Sequence, residues 1–175
     1  VQTNFVLTVT GPDKIGIVER VTKIIFDCGG NVETSRMARL GGEFAILMLV
    51  SMPEARVPAL NAALTILTDD GYKVTTTATV AAGAVARADW LAYEIEVEGA
   101  DDEGIIHEIA LCLSRSGISI EAVDSETTPA PVSGSPLFAM TAHVIAPPAS
   151  VGSGWEAALE QIADRMNLEI RVGRS

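Results

Sequence analysis

Phe5, Leu7 and Val9 fall on one side of an extended segment, and Gly11-Pro12-Asp13 then breaks it. From Gly16 the apolar positions move to helical spacing, with Ile17, Val21, Ile24 and Cys28, and Gly29-Gly30 stops the helix as glycine past a C-terminus does. Val32 to Leu40 reads as a strand leading into Gly41-Gly42, a two-residue turn, and Phe44 to Val50 returns beside it. Val57, Leu60, Leu64 and Leu67 mark a second helix ended by Asp70-Gly71, and Lys73 to Val80 closes the unit as a strand. The order is βαββαβ.

The pattern then runs again. Leu91 to Val97 is a strand, Ile105, Ile109 and Cys112 mark a helix ended by Ser116-Gly117, and Ile118 to Thr127 and Leu137 to Ile145 are paired strands. Residues 129–136, rich in Pro, Ser and Gly, read as an exposed and mobile loop rather than a tight hairpin. Trp155, Leu159, Ile162 and Met166 mark the last helix, and Leu168 to Val172 the last strand. Specific residues repeat too: Val9, Gly11, Asp13, Gly16, Ile17, Gly29 and Glu33 return as Val97, Gly99, Asp101, Gly104, Ile105, Gly117 and Glu121 at one offset (99 − 11 = 88). The chain therefore divides into a first module over 1–80, a small-residue linker over 81–89 and a second module over 90–175.

Each helix has a single apolar stripe, so in each module both helices cover one face of a four-stranded antiparallel sheet. The fold class is α+β, two ferredoxin-like units. In the strand from Phe44 to Val50, Phe44, Ile46, Met48 and Val50 face the helices, while Ala45, Leu47 and Leu49 make the other side apolar as well. A second apolar face calls for a cover, and a homo-oligomer, a dimer at its simplest, supplies one.

Composition narrows the functions. Of the 175 residues 48% are hydrophobic, and the formal net charge is −11, which argues against direct nucleic-acid binding because that affinity comes from clusters of Lys and Arg. No apolar run reaches the roughly 20 residues of a membrane span and no signal-peptide pattern opens the chain, so a cytoplasmic protein is expected; the start at Val1 is consistent with a trimmed N-terminus. Cys28 and Cys112 each fall on the apolar side of a helix and read as reduced structural thiols, with no metal-ligand spacing around them. Catalysis has little to work with. His107 reads as solvent-facing and His143 as lying on the sheet face away from Met140 and Val144, neither in a motif, so no enzyme, cofactor or metal is expected.

The remaining chemistry sits where strand gives way to helix, since free amides at a helix N-terminus can receive an anion. In the first module that segment is Gly11-Pro12-Asp13-Lys14-Ile15-Gly16-Ile17-Val18, followed by Cys28-Gly29-Gly30-Asn31-Val32 at the start of the next strand. These residues resemble the signature of the ACT domain, a small ligand-binding regulatory module of βαββαβ order, and the resemblance covers essentially the whole chain. Within the family, residues 31–44 are most similar to the first module of a transcriptional repressor. The resemblance implies a noncatalytic protein that binds a small molecule, usually an amino acid, near this turn at an interface between two ACT modules. It implies Gly11, Asp13, Lys14, Ile15, Gly16, Ile17 and Asn31 as ligand-binding residues. It further implies a regulatory partner protein, control of amino-acid or one-carbon metabolism, and glycine or serine as natural candidates.

The residues themselves allow this and a plainer account. An amino-acid carboxylate fits the amides near Gly11 and Gly16, and its ammonium group fits Asp13 or Asn31. Alternatively Asp13 caps the helix, the glycines only permit the turn, and Asn31 bonds to nearby backbone. Two departures from the family pattern stand out: Ile15 and Glu103 occupy a position often held by Pro, and Ser119 stands at the place of Asn31. The second turn is the degenerate equivalent, with Gly99, Asp101, Asp102 and Gly104, because Asp101-Asp102-Glu103 would repel a ligand carboxylate by about 1 kcal/mol per nearby charge. Charge is uneven in the same sense, with residues 1–85 at net −1 and residues 86–175 at net −10. An alternative function is a ligand-free ACT module that docks on and regulates a separate metabolic enzyme.

Overall fold

The computed structural model describes residues 1–80, 87, 89–131 and 134–175, which form two compact units, Val1–Ala86 and Arg87–Ser175. Most of the expected linker lies outside the described residues, as do Val132 and Ser133 of the expected mobile loop.

The first unit runs β1 (Gln2–Pro12), α1 (Ile17–Asp27), β2 (Asn31–Leu40), β3 (Glu43–Pro53), α2 (Val57–Asp69) and β4 (Lys73–Thr79), with a short 3-10 turn at Glu54–Arg56 before α2. Its strands pair antiparallel in the order β2-β3-β1-β4. The second unit repeats this with β5 (Leu91–Ala100), α3 (Ile105–Arg115), β6 (Ser119–Pro129), β7 (Pro136–Ala146), α4 (Trp155–Met166) and β8 (Leu168–Arg174), ordered β6-β7-β5-β8. Two βαββαβ units with helices on one face of each sheet are the ferredoxin-like arrangement that the apolar pattern predicts.

Alternation decides which face is dry. Phe5, Leu7 and Val9 from β1 and Ile46, Met48 and Val50 from β3 meet Ile17, Val21 and Ile25 of α1 and Leu60, Leu64 and Leu67 of α2. Each such side chain contributes about 1.5–3 kcal/mol by leaving water. The stripe of α1 differs in detail from the sequence reading, because Ile25 is buried while Ile24 and Cys28 are only half-buried. In α3 Leu113 likewise takes the buried place, with Cys112 half-buried beside it. Steps of four residues keep the stripe of an 11-residue helix over the sheet it crosses.

The second hairpin is longer than expected. Its ladder continues to Pro129↔Pro136, so both prolines close the paired strands instead of lying in the loop. Each sits at a strand end, where a residue without an N–H is tolerated. Beyond them the Ala130 amide donates to the Ser135 carbonyl at 2.8 Å.

The hairpin also changes the repeat spacing. Phe44 and Phe138 are equivalent at an offset of 94 (138 − 44), and Leu60, Leu64 and Leu67 match Trp155, Leu159 and Ile162 at 95 (155 − 60). The longer hairpin accounts for the first change.

Candidate functional site

Both strand-to-helix turns are built alike. Gly16 is the residue before α1 and takes φ +91°, and Gly104 does the same before α3 at +88°, a region L side chains rarely enter. Neither helix start has a side-chain cap, so Asp13 does not cap α1. The turn is held by backbone: the Ile17 amide donates to the Lys14 carbonyl at 3.2 Å, and the Asp13 amide to the Gly42 carbonyl at the hairpin tip, also at 3.2 Å. In the second module the Asp101 amide donates to the Pro136 carbonyl at 3.0 Å. The turn and hairpin tip are thus one structural corner in each unit.

At the first corner the Val18 and Glu19 amides carry no hydrogen bond among the described residues, as expected for the opening turn of a helix. Asp13, Lys14 and Ile15 are exposed beside them, Ile15 completely at 109%. Arg39, from the hairpin arm of β2, brings its guanidinium to 3.8 Å from the Asp13 carboxylate. Lys14 Nζ lies 5.8 Å from the centre of the Tyr72 ring. The corner therefore carries the unpaired amides of the helix start, the Asp13 carboxylate with Arg39 beside it, and Lys14 over the Tyr72 ring.

Gly11 has a packing role. A Cβ there would stand 2.6 Å from Tyr72 Cδ1, and the buried Tyr72 donates its hydroxyl to the Pro12 carbonyl at 2.9 Å. Tyr72 fixes the end of β1 and thereby aims the turn, as does the Gly42 carbonyl; Arg39 adds charge. Sequence reasoning missed all three. An aromatic just past the helix-ending Asp70-Gly71 was the signal for Tyr72, whereas Arg39 and Gly42 meet the turn only through strand pairing.

Asn31 is not at this corner. It pairs with Ser51, which pairs with Asn4, whereas Gly11 pairs with Phe44. Seven residues of strand, about 24 Å, separate the two places. The helix α1 runs back along the sheet and delivers Asn31 to the opposite end. There Asn31 Nδ2 donates to Glu33 Oε1 at 3.2 Å, and Ser51 Oγ donates to the same oxygen at 2.5 Å. These donors, Ser51 first, hold the Glu33 carboxyl below the usual carboxylate range.

The second corner has a different chemistry. Gly99 is packed against Leu168, Asp102 Oδ1 accepts from the Glu103 amide at 2.9 Å, and Glu103 stands where the first module has Ile15. An open hollow of about 340 Å³ lies here, bordered by Asp101, Asp102, Gly104, His107, Ser125 and Glu126 among others. Its carboxylates disfavour an anion. No group of three or more metal-ligating side chains occurs among the described residues. His107 is exposed, and His143 lies on the outer sheet face with Nδ1 3.5 Å from Glu94. Burial pushes the Cys112 thiol up, with Arg115 opposing weakly.

Comparison with known proteins fits this architecture. A model of the ACT domain matches residues 3–70, the segment that holds the first corner and both helices of the first unit. The first unit is an ACT domain, and the second unit repeats its βαββαβ order and strand arrangement. The glycine cleavage system transcriptional repressor of Escherichia coli (strain K12) is 48% identical over 46 residues, 26% of this chain and 24% of that protein, and the Shigella flexneri repressor matches equally. The match thus spans about a quarter of these curated relatives. Over full length, a solved protein of unknown identity from Galdieria sulphuraria is 32% identical with a TM-score of 0.83, covering 100% of this chain and 99% of its own. A structure proposed to be a glycine cleavage system transcriptional repressor shares the fold over 100% of this chain and 98% of its own, at TM-score 0.70 and 17% identity. Over those 46 residues the chain is related to the glycine cleavage system transcriptional repressor. No helix among its described residues is long and apolar enough to cross a membrane.

Proposed function

We propose that this chain is a tandem ACT protein and a noncatalytic amino-acid sensor of the cytoplasm that regulates amino-acid or one-carbon metabolism through a partner protein. The first corner carries the reading: open Val18 and Glu19 amides behind Gly16, with Lys14 and Arg39 beside them, form a receptor for a carboxylate, and Asp13 can take the ammonium group. Glycine and serine are the natural first ligands, from the likeness to the glycine cleavage repressor. Asn31, about 24 Å away in its own module, can join the ligand only from another copy of the chain. That requirement agrees with a ligand held at an interface between ACT modules. The acidic second corner is the degenerate partner, and transcriptional control would act through a DNA-binding protein rather than by DNA contact.

A thermal-shift screen of the full chain against the common amino acids tests this. A ligand at 100 times its dissociation constant adds about 2.7 kcal/mol, and calorimetric titration with Lys14→Ala and Arg39→Ala should then weaken the same ligand, while Asp102→Ala leaves it unchanged. A second reading is favoured by Ile15 and Leu40, which stand open at this corner with exposures of 109% and 72%. Two uncovered apolar side chains beside the turn suit protein docking. No stabilisation by any amino acid, together with co-purification of a metabolic enzyme that Ile15→Ser abolishes, would establish that reading instead.

A further inference from the structure

In the second unit β8 is an edge strand, with β5 on one side and no strand of its own sheet on the other. Pairing opposes Tyr93 to Arg174, Ile95 to Val172 and Val97 to Ile170. The Ser175 amide donates to the Ala92 carbonyl at 3.0 Å, which fixes the alternation of the ladder. Glu169, Arg171 and Gly173 therefore turn their amides and carbonyls to β5, whereas Ile170, Val172 and Arg174 turn theirs to the open edge. The side chains of these last three lie on the helix side of the sheet, because Tyr93, Ile95 and Val97 opposite them belong to the core.

Helix α4 leaves that side of β8 partly uncovered. An open groove of about 390 Å³ lies between them, with Leu159, Ile170 and Val172 as an apolar floor. Glu156 and Glu160 stand on its helix side, one turn apart, and Arg174 on its strand side. None of these three charges forms an ion pair among the described residues. Like charges one turn apart weaken a helix unless something offsets them. The first unit has the groove without the charges, at about 210 Å³. Asn61 stands there for Glu156 and Thr65 for Glu160 (156 − 61 = 160 − 65 = 95), and Ala78, opposite Phe5, for Arg174. The fold itself does not require the carboxylates.

We propose that this groove and edge receive an extended segment of a partner protein that carries Lys or Arg at alternate positions. The segment adds as a strand beside β8 and bonds the free amides and carbonyls of Ile170, Val172 and Arg174. Its inward side chains lay their hydrocarbon stems on Leu159, Ile170 and Val172 and bring their charged ends to Glu156 and Glu160. Arg174 disfavours a cation at its end of the groove and so sets the register. The edge decides for a peptide, since a small molecule would use the rim and leave the row of backbone groups unanswered. Residues 86–175, at net −10, steer a basic segment toward this unit.

The inference rests on the partner protein of the proposed function and is independent of the amino-acid site at the first corner. Amide hydrogen exchange on the full chain tests it, with a short blocked peptide alternating Lys and Thr as probe and one alternating Glu and Thr as control. In the free chain the Ile170 and Val172 amides should exchange faster than those of Glu169 and Arg171, which the ladder holds. The basic peptide should slow Ile170 and Val172 at least about tenfold, and the acidic one should not. Glu156→Gln with Glu160→Gln, both at exposed positions, should weaken the basic peptide at least about tenfold in calorimetric titration. Slow exchange at Ile170 and Val172 in the free chain overturns the proposal, because the edge is then already covered. So does the absence of slowing at about 1 mM basic peptide, or equal slowing by both peptides. Undiminished binding to the glutamine variant overturns it too, since the peptide then sits on carboxylates elsewhere. Stabilisation by an amino acid without any peptide response sinks this docking surface alone; the reverse pattern sinks the sensor and leaves the surface standing.

Discussion

Gly11 and Gly99 occupy the same repeat position and meet different neighbours. At Gly11 an added Cβ comes within 2.6 Å of the Tyr72 ring and 3.1 Å of its Cα, whereas at Gly99 the 2.6 Å contact is the flexible Leu168 Cδ2, with the Asn167 carbonyl at 3.2 Å and the Leu168 Cα at 3.3 Å. Gly11→Ala should therefore cost about 1–3 kcal/mol in urea unfolding, and Gly99→Ala measurably less, since a ring fixed by its hydrogen bond to Pro12 cannot step aside as a leucine methyl can. At the far end of the sheet, hydrogen bonds from Ser51 and Asn31 lower the pKa of Glu33 from its ordinary value of 4.5. A depressed carboxyl contributes its stability above the unfolded value and loses it as pH falls through the folded one. The urea midpoint of the native chain should exceed that of Glu33→Gln near neutral pH, and the gap should close as the pH drops below about 4.5. Residue types and the left-handed glycines were legible in the chain; the neighbour that makes Gly11 obligatory was not, because Tyr72 is 61 positions away (72 − 11).

Each helix pair is clasped by one ion pair, and the repeat reverses its sign. Arg20 of α1 pairs with Asp70 at the end of α2, and Glu108 of α3 pairs with Arg165 of α4. The positions are equivalent at offsets of 88 (108 − 20) and 95 (165 − 70). Geometry is kept while charge is exchanged, which identifies the pairing itself as the shared feature. Both pairs are partly exposed, so Arg20→Glu should cost no more than about 1 kcal/mol, and Asp70→Arg in the same chain should restore most of it; a double-mutant cycle by denaturant unfolding reads both. The elements themselves follow from periodicity, and βαββαβ was readable twice. The extended second hairpin was not, because proline and glycine forecast a loop while the cross-strand ladder carries pairing on to Pro129↔Pro136.

Each unit has its own core, and both tryptophans, Trp90 and Trp155, belong to the second. Trp155 is buried edge-on against Tyr93, with ring centres 5.3 Å apart, so tryptophan fluorescence reports unfolding of the second unit alone. Leu64→Ala in the first core should cost about 2–5 kcal/mol in a transition followed by circular dichroism while leaving the fluorescence midpoint in place. A matching shift in both signals would mean that the two units unfold as one. Function is arranged at this scale as well, since the first corner holds the open amides and cations and the second sheet concentrates carboxylates.

The sequence by itself determined the repeat, the βαββαβ order, the dry face of each sheet and the charge difference between the halves. All of these follow from local periodicity, glycine placement and composition, which require no knowledge of distant neighbours. Tertiary structure alone decided what gathers at the first corner. Strand register brings Arg39 and the Gly42 carbonyl to Asp13, and sheet packing sets Tyr72 beneath Gly11. The return of α1 along the sheet carries Asn31 to the other end, although the motif places it only 15 residues after Gly16 (31 − 16). Spacing along a chain fixes which side of an element a residue occupies; only the path of the elements through space fixes which residues meet.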